Sequence, residues 1–203
     1  MAKKAVDVVL LPDDAMMDNA IEANKELVKK FGEKIVLNKE SCLPHISLAM
    51  GCVNETDLVT IEEVLRIIAE KNALPELRVV GILTSTNSAG ERVSAFEVEK
   101  TKELQLLHEK VMAELAIYLS YDVTKDMIYN GGEIGESTLL WIKDYRDKSS
   151  FANFFPHITI GCGDVNDFSF QIKFTASELA LCHLGNHCTC RKILASIELA
   201  TQS

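Results

Sequence analysis

The sequence predicts an α+β domain, on three observations. Its strands come partly as hairpins and partly as strand–helix–strand units, so their order does not follow the strict alternation of a doubly wound parallel sheet. No Gly-rich phosphate loop or dinucleotide fingerprint is present. At 203 residues, with 47% apolar and 25% charged, the chain suits one large domain, or two small lobes sharing a cleft, with a real core.

Val6, Val8, Val9, Leu10 and Leu11 read as a buried strand, stopped by Pro12. Asp13 or Asp14 caps a helix over about Ala15 to Phe31, which Gly32 ends. A strand around His45 to Val53 follows. Thr56 or Asp57 then opens a second helix, with Leu58, Ile61, Val64, Leu65 and Ile68 at helical spacing. Leu77 to Thr84 and Val93 to Val98 flank the turn-rich Asn87-Ser88-Ala89-Gly90 as two strands. A third helix spans about Thr101 to Leu119, with Leu104, Leu107, Val111 and Leu115 on its apolar face. Tyr129-Asn130-Gly131-Gly132 is a loop, and Ser137 caps a short helix holding Leu140, Trp141 and Tyr145. Ile158 to Cys162 and Phe168 to Phe174 are strands, and Glu178 to Leu184 with Lys192 to Leu199 make a final hairpin.

The formal net charge of −9 argues against a protein that grips long nucleic acid through its phosphates, which needs dense Lys and Arg. A small anion held by a few local donors is compatible with it. No segment reads as a membrane span or secretory signal: the early apolar run, Ala5 to Leu11, is short and interrupted by Asp7. A cytoplasmic protein is expected, with its six cysteines as reduced thiols.

One word occurs twice. Pro44-His45-Ile46-Ser47-Leu48-Ala49-Met50-Gly51 matches Pro156-His157-Ile158-Thr159-Ile160-Gly161-Cys162-Gly163 at proline, histidine, isoleucine and the last glycine, with a hydroxyl two places after each histidine. In a strand, His45 and Ser47 point one way while Ile46 and Leu48 point the other. His157 and Thr159 stand against Ile158 and Ile160 in the same manner. Each strand therefore buries aliphatic groups on one face and offers imidazole and hydroxyl on the other. The two prolines, unable to donate to a ladder, mark the strand starts. With the two words related by a pseudo-two-fold, the polar faces meet across a groove.

Such a pair suits phosphodiester chemistry without a metal or other cofactor. One imidazole accepts a proton from the attacking water or hydroxyl and the other protonates the departing oxygen, since histidine titrates near neutrality. Ser47 and Thr159 can donate to non-bridging phosphate oxygens, where charge accumulates in the transition state.

These words resemble the paired His-x-Ser/Thr-hydrophobic motifs of the two-histidine phosphoesterase superfamily, which includes 2′-5′ RNA ligase-like proteins and cyclic nucleotide phosphodiesterases. Leu104 to His108 resembles the family's Leu-x-x-Leu-His helix segment, and Phe151 to Gly161 its approach to the second motif. Motif separation and length also fit, so the likeness covers nearly the whole chain, a single two-lobed domain over 1–203. The resemblance implies a bilobal duplicated fold, with two antiparallel sheets facing a central cleft and helices outside. It implies activity on 2′,3′-cyclic phosphates or 2′-5′ phosphodiesters, with His45 and His157 catalytic and Ser47 and Thr159 phosphate-binding. Where some members carry an aromatic residue or arginine shortly after a motif, this chain has Met50 and Cys162. The expected ligand is a small nucleotide or RNA end, not duplex DNA or a membrane, and the expected state is a monomer.

Other residues compete with this pair less well. His108 shares a helical face with Leu104, Leu107 and Val111, which predicts a packed, hydrogen-bonded histidine. Trp141 and Tyr145 are candidates to stack a nucleobase, though their spacing also suits core packing. Five possible zinc donors lie between Cys182 and Cys190, but Gly185-Asn186 reads as a hairpin turn that spreads them over two faces, so no metal site is assigned. No Asp or Glu is spaced against either histidine as a partner. The alternative to an enzyme is a non-catalytic module that binds a nucleotide or RNA end in the same cleft.

Overall fold

The Val- and Leu-rich run that opens the chain becomes β1 (Lys3–Pro12), in which every residue from Ala5 to Leu11 is buried. The computed structural model describes residues 2–129, 133–165 and 172–199. A strand apolar on both faces needs cover on both. Val6, Val8 and Leu10 join the main core, while Val9 and Leu11 join a smaller cluster with Met17, Leu43 and Ala180. β1 accordingly lies well inside the sheet, with antiparallel ladders to β2 (Ile46–Asn54) and β7 (Ala176–Leu184).

The remaining strands are β3 (Leu77–Thr86), β4 (Arg92–Val98), β5 (His157–Cys162), β6 (Lys173–Phe174) and β8 (Cys190–Glu198). Their order across the sheet is β6-β3-β4-β5-β2-β1-β7-β8, antiparallel throughout. The α+β class is as expected. The two separate sheets are not what hydrogen bonding shows: the ladder is continuous through all eight strands. Its join between β5 and β2 is one register pair, Ile46 with Ile158. Four strands lie to either side, and the strand carrying a repeated word forms the inner edge of each half.

Among the described residues four α-helices cover the sheet. In α1 (Asp14–Phe31), the Asp13 carboxylate accepts from the Met16 amide at 2.9 Å, and Gly32 ends the helix at φ 93°. Its buried Asn24 donates to the Ile35 and Ile160 carbonyls at 2.9 and 2.8 Å and accepts from the Leu37 amide at 2.8 Å. One side chain thus ties α1 to the following loop and to β5. α2 (Leu58–Lys71) packs on β7, β8 and α3 (Lys102–Leu115), and α3 packs on β2. α3 stops short of Leu119 because the chain turns there to pair Ser120 with Cys52, with backbone bonds of 2.7 and 2.9 Å. α4 (Glu136–Lys148) is capped at Gly135 rather than Ser137, and rests on β2. Of the strand expected over Phe168 to Phe174, residues 168–171 lie outside the described residues, as do 130–132 of the expected loop.

The final glycine of each word is required for a different reason. At Gly51 an added Cβ would stand 3.0 Å from Leu119 Cδ2 and 3.1 Å from the Ser120 carbonyl, where the Cys52–Ser120 pairing brings two backbones together. Gly163 has φ +111°, and a Cβ there would lie 2.1 Å from the Phe31 ring. Among the described residues no helix is long and apolar enough to cross a membrane.

Candidate active site

The β2–β5 join places the two words beside each other. Ile46 and Ile158, buried at 1% and 0% exposure, form the pair, and the flanking residues alternate as strand geometry requires. Leu48 and Ile160 are fully buried; His45, Ser47, His157 and Thr159 are half-buried and line one cavity of about 380 Å³. Because the strands run in opposite directions, the imidazole of each word falls on the side of the other word's hydroxyl.

The two rings are held alike. His45 Nδ1 lies 2.7 Å from the Leu43 carbonyl and His157 Nδ1 lies 2.8 Å from the Phe155 carbonyl, each two residues earlier in the chain. A carbonyl only accepts, so Nδ1 carries the hydrogen in both, and Nε2 is left as the basic atom. Enclosure by protein disfavours the charged form of each ring. It pulls His45 down to about 4, with proximity to His157 adding to the effect, and it lowers His157 as well.

Beneath His45 sits a residue that motif spacing did not reveal. Asp7 of β1 is fully buried, accepts from Ser47 Oγ at 2.6 Å through Oδ2, and places that oxygen 3.8 Å from His45 Nε2. Among the described residues its Oδ1 has no hydrogen-bond partner. Burial drives the carboxyl well above the usual range, against the lowering effect of the Ser47 hydroxyl and the nearby Ala49 backbone. The expectation that no acidic group partners either histidine is therefore corrected. The partner comes from the neighbouring strand, which linear spacing cannot show. The one signal in the sequence was a lone carboxylate inside the run Ala5 to Leu11.

The rest of the cavity is aliphatic, aromatic and hydroxylic. β3 and β4 contribute Leu83, Ser85, Val93 and Ala95; Phe154 and Phe155 precede the second word. Trp141 and Tyr145, the candidate stacking residues, both line it from α4, and they differ in access: Trp141 is 47% exposed and Tyr145 is 3%. Lys148, bonded to Asp144 at 2.7 Å, is the one lysine or arginine among the described lining residues.

The far wall is the tip between β7 and β8, residues 185–189, which docks on the start of α4. Asn186 Oδ1 accepts from the Gly135 amide at 3.2 Å and from Thr138 Oγ1 at 2.7 Å, and Thr138 Oγ1 accepts from the His187 amide at 2.9 Å. This network holds His187 and Cys188 at φ 57° and 53°, left-handed values that are uncommon outside glycine, and both residues line the cavity. Burial pushes the Cys188 thiol up, and nearby Asp7 adds to the shift, so it is no thiolate nucleophile.

At the base of the tip Cys182 and Cys190 are joined by a disulfide, with Cα atoms 5.5 Å apart. This corrects the expectation of six reduced thiols. Register shifts at Leu181/Cys182 and His183/Leu184 bring together two cysteines that simple alternation keeps apart. The other possible zinc donors are dispersed: His183 Nε2 lies 2.9 Å from the Met127 carbonyl, while His187 and Cys188 face the cavity.

His108 is the packed histidine the sequence predicted, and it links the first word to the segment that leads into the second. Its Nδ1 lies 2.7 Å from the Leu48 carbonyl of β2, and its Nε2 accepts from the Phe151 amide at 2.7 Å. The ring stacks on Phe154 at 4.0 Å and 2°. Both nitrogens are used, and burial favours the neutral ring.

No protein-family model matches the chain, and no curated protein sequence does. Among solved structures the chain is similar to TT0787 of Thermus thermophilus, with a TM-score of 0.63 and 17% identity over 98% of this chain and 100% of that one. It is also similar to LigT of Escherichia coli in apo form, with a TM-score of 0.49 and 15% identity over 100% of each. The likeness to TT0787 shows a shared fold along the whole length.

Proposed function

We propose that this chain is a phosphodiesterase that opens a 2′,3′-cyclic phosphate or cleaves a 2′-5′ phosphodiester of a nucleotide or RNA end, using two histidines and no metal. The observation that carries the reading is the identical restraint on His45 and His157. Each presents a basic Nε2 to one cavity, with a hydroxyl from the same word beside it. That is the geometry of paired proton transfer at one phosphorus centre, in which one ring accepts as the other donates. Thr159 supplies a hydrogen bond to a non-bridging oxygen, and Ser47 supplies a second when its hydroxyl hydrogen turns from Asp7 Oδ2 to the ligand. The exposed Trp141 offers a face for a base, and Tyr145 closes the floor. The reading also takes the two four-stranded halves as duplicated lobes, each contributing one word from its inner edge. The acidic surface favours a small ligand, bound by a monomer, over extended RNA.

The test is turnover of 2′,3′-cyclic nucleotides and 2′-5′-linked dinucleotides by purified protein in the presence of a chelator, with product analysis. His45→Ala and His157→Ala should each nearly abolish it. Full activity in either variant refutes the mechanism.

One observation favours a binding module instead. Both imidazoles are held neutral, and a neutral pair lacks the proton the departing oxygen needs. Tight nucleotide binding without product would establish that alternative.

A further inference from the structure

The missing proton has a candidate source within the site. The Asp7 carboxyl is fully enclosed; among the described residues Oδ2 accepts from Ser47 and Oδ1 has no partner at full hydrogen-bond geometry, with the Ala49 backbone nearby. The groups that face it are His45 and Ser47 from β2, Tyr145 from α4 and Cys188 from the β7–β8 tip, with His157 acting on His45 from across the cavity. None is a fixed positive charge. A carboxylate facing a neutral His45 would be a buried anion without a cationic partner, supported by the Ser47 hydroxyl and the nearby Ala49 backbone alone among the described residues, which the surroundings penalise heavily. Two states escape that penalty: a neutral carboxyl beside neutral imidazole, or a carboxylate beside imidazolium. They contain the same number of protons.

We propose that Asp7 and His45 hold one proton in common at neutral pH, and that this pair supplies the proton taken by the departing oxygen. The catalytic half of the proposal rests on the phosphodiesterase reading; the shared proton does not. Asp7 does not reach the cavity space itself and acts through His45, as a positioning residue. His157 has no carboxylate within ion-pair distance among the described residues, so the two words are chemically unequal. One is loaded with a proton and the other is free to accept.

The step balances. Water oxygen bonds to phosphorus as the bond from phosphorus to the ribose oxygen breaks. The water proton passes to His157 Nε2, and the proton on His45 Nε2 passes to the ribose oxygen. That leaves the pair as carboxylate and neutral imidazole, and exchange with solvent returns the proton of His157 to it. Passage of the proton across the 3.8 Å between Asp7 Oδ2 and His45 Nε2 requires a side-chain rotation that brings the two atoms together.

Asp7→Asn keeps the shape and an acceptor for Ser47 but removes the carboxyl proton. In it kcat should fall about 10²-fold with KM little changed, and the alkaline limb of the kcat profile should move to lower pH. An unchanged rate and profile overturns the proposal. A second measurement uses the native protein without substrate: carbon-13 NMR of Asp-labelled protein and nitrogen-15 NMR of its histidines at pH 7. A protonated Asp7 carboxyl, or an ionised one with His45 Nε2 protonated, supports the shared proton. Ionised Asp7 beside neutral His45 overturns it. If the native protein turns over none of the substrates, the phosphodiesterase reading fails while the NMR result still decides where the proton is.

Discussion

Ile46 pairs with Ile158, and this is the whole of the ladder between β2 and β5. Each isoleucine directly follows the histidine of its word, so the junction that joins the two halves of the sheet also sets each imidazole on the side of the other word's hydroxyl, with the two rings diagonal across it. The register of that one pair sets which groups share the cavity.

Removing a hydroxyl should slow the chemistry more than it weakens binding. Ser47→Ala and Thr159→Ala should each lower kcat by about 10²-fold, the typical effect of deleting one donor aimed at developing charge. Steady-state kinetics on a cyclic nucleotide checks this. Equal loss in both variants would show that the bond from Ser47 to Asp7 has no separate effect.

The fold should be sensitive to acid through its histidines. All five are depressed by burial, so their contribution is complete above the unfolded value of about 6.5 and is lost as pH falls through the folded values, reaching about 4 at His45. Asp7 has the opposite sign: its raised value favours the folded state at low pH, and that contribution is lost as pH rises through the folded value. Melting temperature should therefore fall steadily below pH 6.5, and Asp7→Asn should gain most in stability on the alkaline side.

His108→Ala should destabilise the protein by roughly 3 to 5 kcal/mol, because it strands the Leu48 carbonyl and the Phe151 amide and removes the stack on Phe154. Urea unfolding measures it. Since that histidine braces the first word against the approach to the second, residual activity should fall in the still-folded variant.

Gly163→Ala should be worse tolerated than Gly51→Ala. The first meets both a positive φ and the Phe31 ring; the second asks Leu119 and a backbone carbonyl to yield by a few tenths of an ångström. Soluble yield and urea midpoints of the two variants compare them directly.

Cys182→Ser, or reduction of the bond to Cys190, should lower stability by about 2 to 3 kcal/mol, the chain-entropy value for so short a loop. Unfolding with and without reductant, alongside thiol counting, tests this. Identical curves with two extra reactive thiols would show that the bridge contributes nothing.

What the sequence revealed and what it hid divide along a physical line. Alternation within a strand is local, so the two words, their buried isoleucines and their outward hydroxyls could be read from the order of residues alone. The cap at Asp13 was similarly legible, because a capping bond spans three residues. Asp7 was not, since its meeting with Ser47 depends on β1 lying next to β2, 40 residues away in the chain. The Cys182–Cys190 bond depended on two bulges that no pattern of residue types announces. The continuous sheet was missed for the same reason: one rung is enough to turn two expected sheets into one.

Asn24 gives this fold a remote handle. All three hydrogen bonds of that side chain go to the main chain of Ile35, Leu37 and Ile160, so α1 and the second histidine strand move as one piece. A graft, crosslink or bulky label that displaces α1 would therefore pull on the strand that carries His157.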